Sequence, residues 1–236
     1  MERTQTRGGP RQAVIWAALR EEMARTGRSL RVVDVGGGTG GFAVPLARAG
    51  HSVTVIDPSP DALAAAERRA AEAGVAGLIT ARQGDADSLA ELVEPASVDL
   101  VLCHTVLEVV DDPAKVTAAL AQVLLPGGAA SVVVVNRAAA VLAKAVAGQI
   151  DAAEQLLDQA EGTPRRYDAE SAAELLRSAG LTVEKLHGVR VIADLIPGAL
   201  ADADPEGLLR FELAVSGLAP YRDIATQLHL FARKTA

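Results

Sequence analysis

The chain has 236 residues, half of them apolar and only 3% aromatic, which is material for one sizeable core filled by alanine, valine and leucine. Its formal net charge of -7 argues against a generic nucleic-acid binder, whose domains carry a basic face, while leaving room for a local patch. No run of eighteen apolar residues occurs and residues 1–10 hold no apolar signal region, so a soluble, cytoplasmic protein is expected, with a mobile arm over 1–10 and one domain over 11–236.

From Arg11 to Arg25, Ile15, Leu19 and Met23 fall on one stripe, the spacing of an amphipathic helix. Arg11 opens that helix, where a cation meets the positive end of the dipole; it has either a carboxylate partner or plain solvation. The β-branched run Val32, Val33 and Val35 then stops at the glycine cluster of 36–41 and gives way to a helical pattern over 42–49. A strand, a glycine turn and a helix make a nucleotide-type site, because glycines admit positive φ and close approach and the helix start offers free N–H groups. Gly36, Gly38 and Gly41 satisfy G-x-G-x-x-G, and Asp57, at the tip of the strand over 51–56, falls where a ribose is held. A dinucleotide site of a nicotinamide-dependent oxidoreductase fits that spacing. Asp34 tilts the reading, since a carboxylate just before the glycines takes up a cationic ligand's ammonium group and repels a pyrophosphate.

A helix over 60–73, a strand over 78–82 and the acids Asp85 and Asp87 follow, one of which serves as a turn or cap residue. The apolar strand over 98–103 ends in Cys103, the sole cysteine, and passes into His104 at the carboxyl end of a central strand, where ligands bind in open α/β sheets. A helix over 113–125 and a strand over 129–135 complete five alternations, which imply a right-handed, doubly wound parallel sheet. Residues 137–161 read as one or two helices without a strand between them, a cap over the sheet's carboxyl edge. A helix over 168–179 and strands over 181–192 and 224–233 close the chain. Histidines 51, 104, 187 and 229 lack metal-ligand spacing, and no metal is expected.

Asp34-Val-Gly-Gly-Gly-Thr-Gly40, with Leu124-Leu-Pro-Gly-Gly128 ahead of a strand, resembles the class I S-adenosylmethionine-dependent methyltransferases. Further stretches, Arg11-Gln-Ala-Val-Ile-Trp16, His104-Thr-Val-Leu-Glu108, Asn136, Val146-Ala-Gly148, Gly188-Val-Arg-Val191 and Leu228-His-Leu-Phe-Ala-Arg-Lys234, are similar to the bacterial tRNA carboxymethoxyuridine methyltransferases over most of the chain from residue 11. The resemblance implies a Rossmann-like, doubly wound seven-stranded sheet with an inserted helical cap, and S-adenosyl-L-methionine as cofactor with S-adenosyl-L-homocysteine as product. It also implies Arg11 on the cofactor's carboxylate, contacts at Asp34, Gly36, Gly37 and Gly38, Asp57 on the ribose, and Asp85, Ala86, Cys103 and His104 along the rest of the cofactor.

That family carries a lysine-rich loop in the insertion, whereas residues 137–190 here hold seven Lys/Arg against eight Asp/Glu, so tRNA and a small-molecule metabolite both stand as acceptors. A carboxylate acceptor is ionised at neutral pH and needs a cation to position it, for which Arg190 is the candidate, with Asn136 as a neutral donor. A hydroxyl acceptor calls for a base, and His104 is the nearest suitable group. A protein that holds the cofactor without turnover is the remaining alternative.

Overall fold

The computed structural model describes residues 10–158 and 164–235, and in it each β-branched run becomes a strand. The expected arm falls, apart from Pro10, outside the described residues. The strands are β1 (Arg31–Val35), β2 (Ser52–Asp57), β3 (Ile79–Gln83), β4 (Val98–His104), β5 (Leu124–Val135), β6 (Leu181–Val189) and β7 (Gln227–Lys234). They form one seven-stranded sheet in the order β3-β2-β1-β4-β5-β7-β6. Neighbours from β3 to β5 pair in parallel, but β7 runs antiparallel to both β5 and β6. The five alternating strands are thus parallel as expected, and β7 makes the seven-stranded sheet as a whole a mixed one. Antiparallel neighbours need no crossover helix, and β7 enters between two strands that already run the same way.

Helices α1 (Ala13–Thr26), α2 (Ala43–Arg48) and α3 (Pro60–Glu72) cover one face of the sheet. Helices α4 (Leu89–Leu92), α5 (Pro113–Val123) and α8 (Ala169–Ser178) cover the other. Alternation along the strands sorts the core accordingly. Val32, Leu100, Leu102, Val133 and Phe231 face α1, while Val33, Val101, Cys103 and Val132 face α5. Helix starts are written locally: Ser59 Oγ accepts the Ala62 N–H ahead of α3, with Pro60 in the first turn, and Asp168 and Ser171 form a capping box on α8.

Two further pairs complete the chain. Helices α6 (Arg137–Val146) and α7 (Ile150–Asp158) fill the expected insertion. Helices α9 (Gly198–Ala203) and α10 (Pro205–Val215) lie in the long connection from β6 to β7, where no helix was expected. The strand read over 181–192 stops at Val189, because Arg190 takes φ 63 and turns the chain out of the sheet.

The amino edge of the sheet is tied by ion pairs. Arg28 meets Asp99 at 2.7 Å, and the buried Glu22 of α1 receives Arg25 at 2.6 Å and Arg233 of β7 at 3.0 Å. The carboxyl edge is left for ligands.

Candidate active site

At the carboxyl end of β1 the chain turns on Gly36, φ 68, whose N–H donates to the Ile56 carbonyl at 2.8 Å and stitches the turn to β2. A Cβ on Gly37 would stand 2.7 Å from Asp34 Oδ2, so the missing side chain is what lets this carboxylate tuck beneath the turn. Asp34 is 3% exposed and its Oδ2 has no partner. Burial first, and the charge of Asp57 second, push its pKa up to about 7. A buried carboxyl oxygen without a donor is costly to leave unmade, and an ammonium group would complete it.

Asp57 Oδ2 accepts the Gly38 N–H and its Oδ1 the Ser59 N–H, both at 2.9 Å. The carboxylate is thereby fixed in direction, and each oxygen keeps a lone pair for a ribose hydroxyl. Asp85 is the capping acid after β3, accepting the Ser88 N–H at 2.8 Å; it is exposed, beside the buried Ala86. An unsatisfied acid under a glycine turn and an oriented acid at the next strand tip fit the ammonium and ribose ends of S-adenosylmethionine.

Beside this turn opens a cavity of about 770 Å³, lined among others by Arg11, Phe42, His104, Arg190, Asp194 and Leu208. That volume is within the range of small-ligand sites. None of its lining residues comes from 137–158, so α6 and α7 do not wall it as the cap reading expected; residues 190–208 do. The insertion leaves β5 at its carboxyl end, but α6 and α7 pack mainly on each other.

Arg190 is one of three non-glycine residues with positive φ among those described, a conformation that costs on the order of 1–2 kcal/mol. Glu212 of α10 holds it there. This carboxylate, 0% exposed, accepts the N–H groups of Val191 at 2.8 Å and of Ile192 and Ala193 at 2.9 Å. Arg190 Nε donates to Asp194 Oδ2 at 2.6 Å, and Nη2 pairs with the same oxygen. Asp194 Oδ1 lies 3.5 Å from Arg11 Nε, so the cation at the helix start has its carboxylate partner within the chain. Neither Asp194 nor Glu212 stood out in the sequence. An acid four residues beyond Arg190 and one in an apolar helical stretch carry no spacing that marks them.

Three expected contacts need correction. His104 lines the cavity, but its Nε2 is 2.9 Å from Ser131 Oγ and burial drives its pKa down to about 3, so at neutral pH it is a very weak base. Asn136 is 1% exposed and spends both amide hydrogens on the carbonyls of Asp223 and Ala225, while its Oδ1 accepts the Ala138 N–H to cap α6. It has no hydrogen left for an acceptor. Cys103 is 0% exposed and its side chain sits in the core on the α5 face, away from His104; burial raises its thiol pKa. Phe42 touches the edge of His104 at 4.6 Å between centroids and stacks on Trp16 at 5.1 Å, making an apolar wall.

A family model described as a methyltransferase domain matches residues 33–132. The tRNA 5-carboxymethoxyuridine methyltransferase of Escherichia coli (strain K12) is 32% identical over 241 residues, covering 97% of this chain and 90% of that protein. The ubiquinone biosynthesis O-methyltransferase of Xylella fastidiosa (strain 9a5c) is 39% identical over 164 residues, covering 68% of this chain and 64% of that protein. Among solved structures, an S-adenosylmethionine-dependent methyltransferase from Mesorhizobium loti is similar at TM-score 0.65 and 25% identity, covering 96% of this chain and 100% of that one. A magnesium protoporphyrin IX methyltransferase from Synechocystis PCC 6803 with bound S-adenosylhomocysteine shares the fold at TM-score 0.64 and 15% identity, covering 95% and 84%.

Proposed function

Because the chain belongs to the class I S-adenosylmethionine-dependent methyltransferases, we propose that it O-methylates a carboxylate, and that the carboxylate is the carboxymethoxy group of a uridine in tRNA. The observation that carries this reading is Arg190, a lining residue of the cavity that Phe42, directly after the glycine turn, also lines. The full-length likeness to a tRNA 5-carboxymethoxyuridine methyltransferase supports the same acceptor.

When bound, S-adenosylmethionine supplies a methyl group already activated on a sulfonium. Asp34 would hold its ammonium group, Asp57 its ribose, the turn of 36–38 its close backbone approach, and Arg11 its carboxylate. Arg190 brings the acceptor's carboxylate beside it and restricts its orientation, which is where the rate gain of such a transfer lies. A carboxylate is ionised at neutral pH, so no base is required, in keeping with an imidazole that burial holds neutral. Ile15, Phe42, Val133 and Leu208 line the same space and give it apolar walls.

A small-molecule carboxylate is the second reading, favoured by the even charge balance of residues 137–190. Mass spectrometry after incubating the protein and S-adenosylmethionine with total tRNA and with a metabolite extract separates the two. The expected product is a methyl ester on carboxymethoxyuridine nucleosides; an ester found only among metabolites moves the acceptor to the second reading. Arg190→Lys should lower turnover about tenfold or more with cofactor affinity unchanged, because lysine keeps the charge but loses the two-pronged fork. Full turnover in that variant would overturn the positioning of a carboxylate.

A further inference from the structure

A guanidinium offers a carboxylate two edges: a side edge of Nε and Nη2, and an end edge of Nη1 and Nη2. Asp194 takes the side edge of Arg190, receiving Nε at 2.6 Å and also Nη2. Among the described residues nothing hydrogen-bonds Arg190 Nη1, and the side chain lines the cavity. We propose that Asp194 is a positioning residue that, by occupying one edge of Arg190, presents the other to the acceptor's carboxylate. This rests on the reading that the acceptor is a carboxylate.

The opposite role, in which Asp194 merely fills the acceptor's place and must leave, is disfavoured by how it is tethered. Only three residues separate it from Arg190, and their N–H groups are all held by the buried Glu212. Its side chain is 20% exposed, mostly covered where it stands against Arg190. Its other oxygen lies 3.5 Å from Arg11 Nε. One carboxylate thus lies within ion-pair range of both the arginine assigned to the acceptor and the arginine expected on the cofactor.

The test uses the full chain saturated with S-adenosylhomocysteine, with the nucleoside 5-carboxymethoxyuridine as probe and its neutral carboxamide as control. In nitrogen-15 spectra of the arginine side chains, the nucleoside should shift the Arg190 Nη signals and leave Nε–H in place. An equal shift of Nε–H would mean that the probe has displaced Asp194, which overturns the proposal. By calorimetry, Asp194→Asn should weaken the nucleoside about tenfold, leave S-adenosylhomocysteine within about threefold, and raise KM more than it lowers kcat, with Asp194→Glu recovering part of the loss. Tighter or unchanged nucleoside binding in Asp194→Asn overturns the proposal. If that variant fails to fold by circular dichroism, the spectra of the native protein decide. Equal binding of acid and carboxamide, or of neither, refutes the carboxylate reading and the role of Asp194 with it. Acid-selective binding that ignores Asp194→Asn refutes Asp194 alone.

Discussion

Asp34 carries the clearest consequence at the scale of single residues. Its folded pKa of about 7 lies above the unfolded 3.8, so between those values the unfolded chain holds fewer protons than the native one and this group's contribution to stability falls as pH rises. An ammonium ligand needs the carboxylate ionised. Affinity for S-adenosylmethionine should therefore climb up to about tenfold per pH unit from pH 5.5 toward 7 and then level, with a proton released on binding below pH 7. Calorimetry in buffers of different ionisation enthalpy measures both. A wild-type affinity flat across that range removes the ammonium from Asp34, whereas Asp34→Asn should flatten it. Asp34, Asp57 and the glycines were legible in the sequence because strand, turn and helix place them by connectivity alone. Asp194 and Glu212 were not, since Glu212 is singled out by meeting a segment about 20 residues before it, and Asp194 by standing between Arg190 and the distant Arg11.

At the scale of elements, four neighbouring strands share a row of polar side chains on the α1 face. Ser131 Oγ on β5 lies 2.9 Å from the Nε2 atoms of both His104 on β4 and His229 on β7, and His229 stacks on His187 of β6 at 5.6 Å between ring centroids. The one hydroxyl hydrogen can serve only one of the two rings, so at least one ring donates its Nε2–H to Ser131 Oγ. Burial lowers the pKa of His51, His104, His187 and His229, so below about pH 6.5 the unfolded chain binds protons that the native one refuses and stability drops with acidification. Asp34 and Glu108, both raised by burial, oppose this, but they are two groups against four. Urea midpoints should fall from pH 6.5 to 5, and His229→Gln should reduce that slope by up to about 1.4 kcal/mol per pH unit at the acid end. An unchanged slope would mean that His229 is protonated in the native protein. The strands themselves were readable from β-branched runs. The amphipathic insertion was not readable as to what it covers, since α6 repeats apolar residues at helical spacing yet buries none, with Leu142 and Val146 exposed. Periodicity shows that a face exists and leaves its partner open.

For the whole molecule, the net charge of -7 bears on how tRNA could be held. Proteins that neutralise six to ten phosphates lose about 10³–10⁵-fold in affinity between 50 and 200 mM salt; a chain with balanced charge in its insertion should lose only about ten- to a hundredfold. Filter binding of tRNA across that range measures the slope, and a flat response together with methylation of the free nucleoside would assign a small acceptor. The parallel, doubly wound character of the five alternating strands was legible because strands joined by helices cross over with one hand, while the reversal of β7 was not, because a strand pattern has no direction. The connection that carries Arg190, Asp194 and Glu212 departs after Val189 and returns at Gln227, and those two residues face each other in the ladder. The part of the cavity wall contributed by residues 190–208 thus hangs from a single rung near the sheet's margin, while Asp34 and Asp57, the acids proposed for the methyl donor, stand on β1 and β2 on the other side of β4. Descendants of such a gene can lengthen, shorten or rewrite that excursion and change which molecule is methylated without re-inventing how the methyl donor is gripped. Grafting the excursion between related enzymes is accordingly a route to new acceptors on an old donor site.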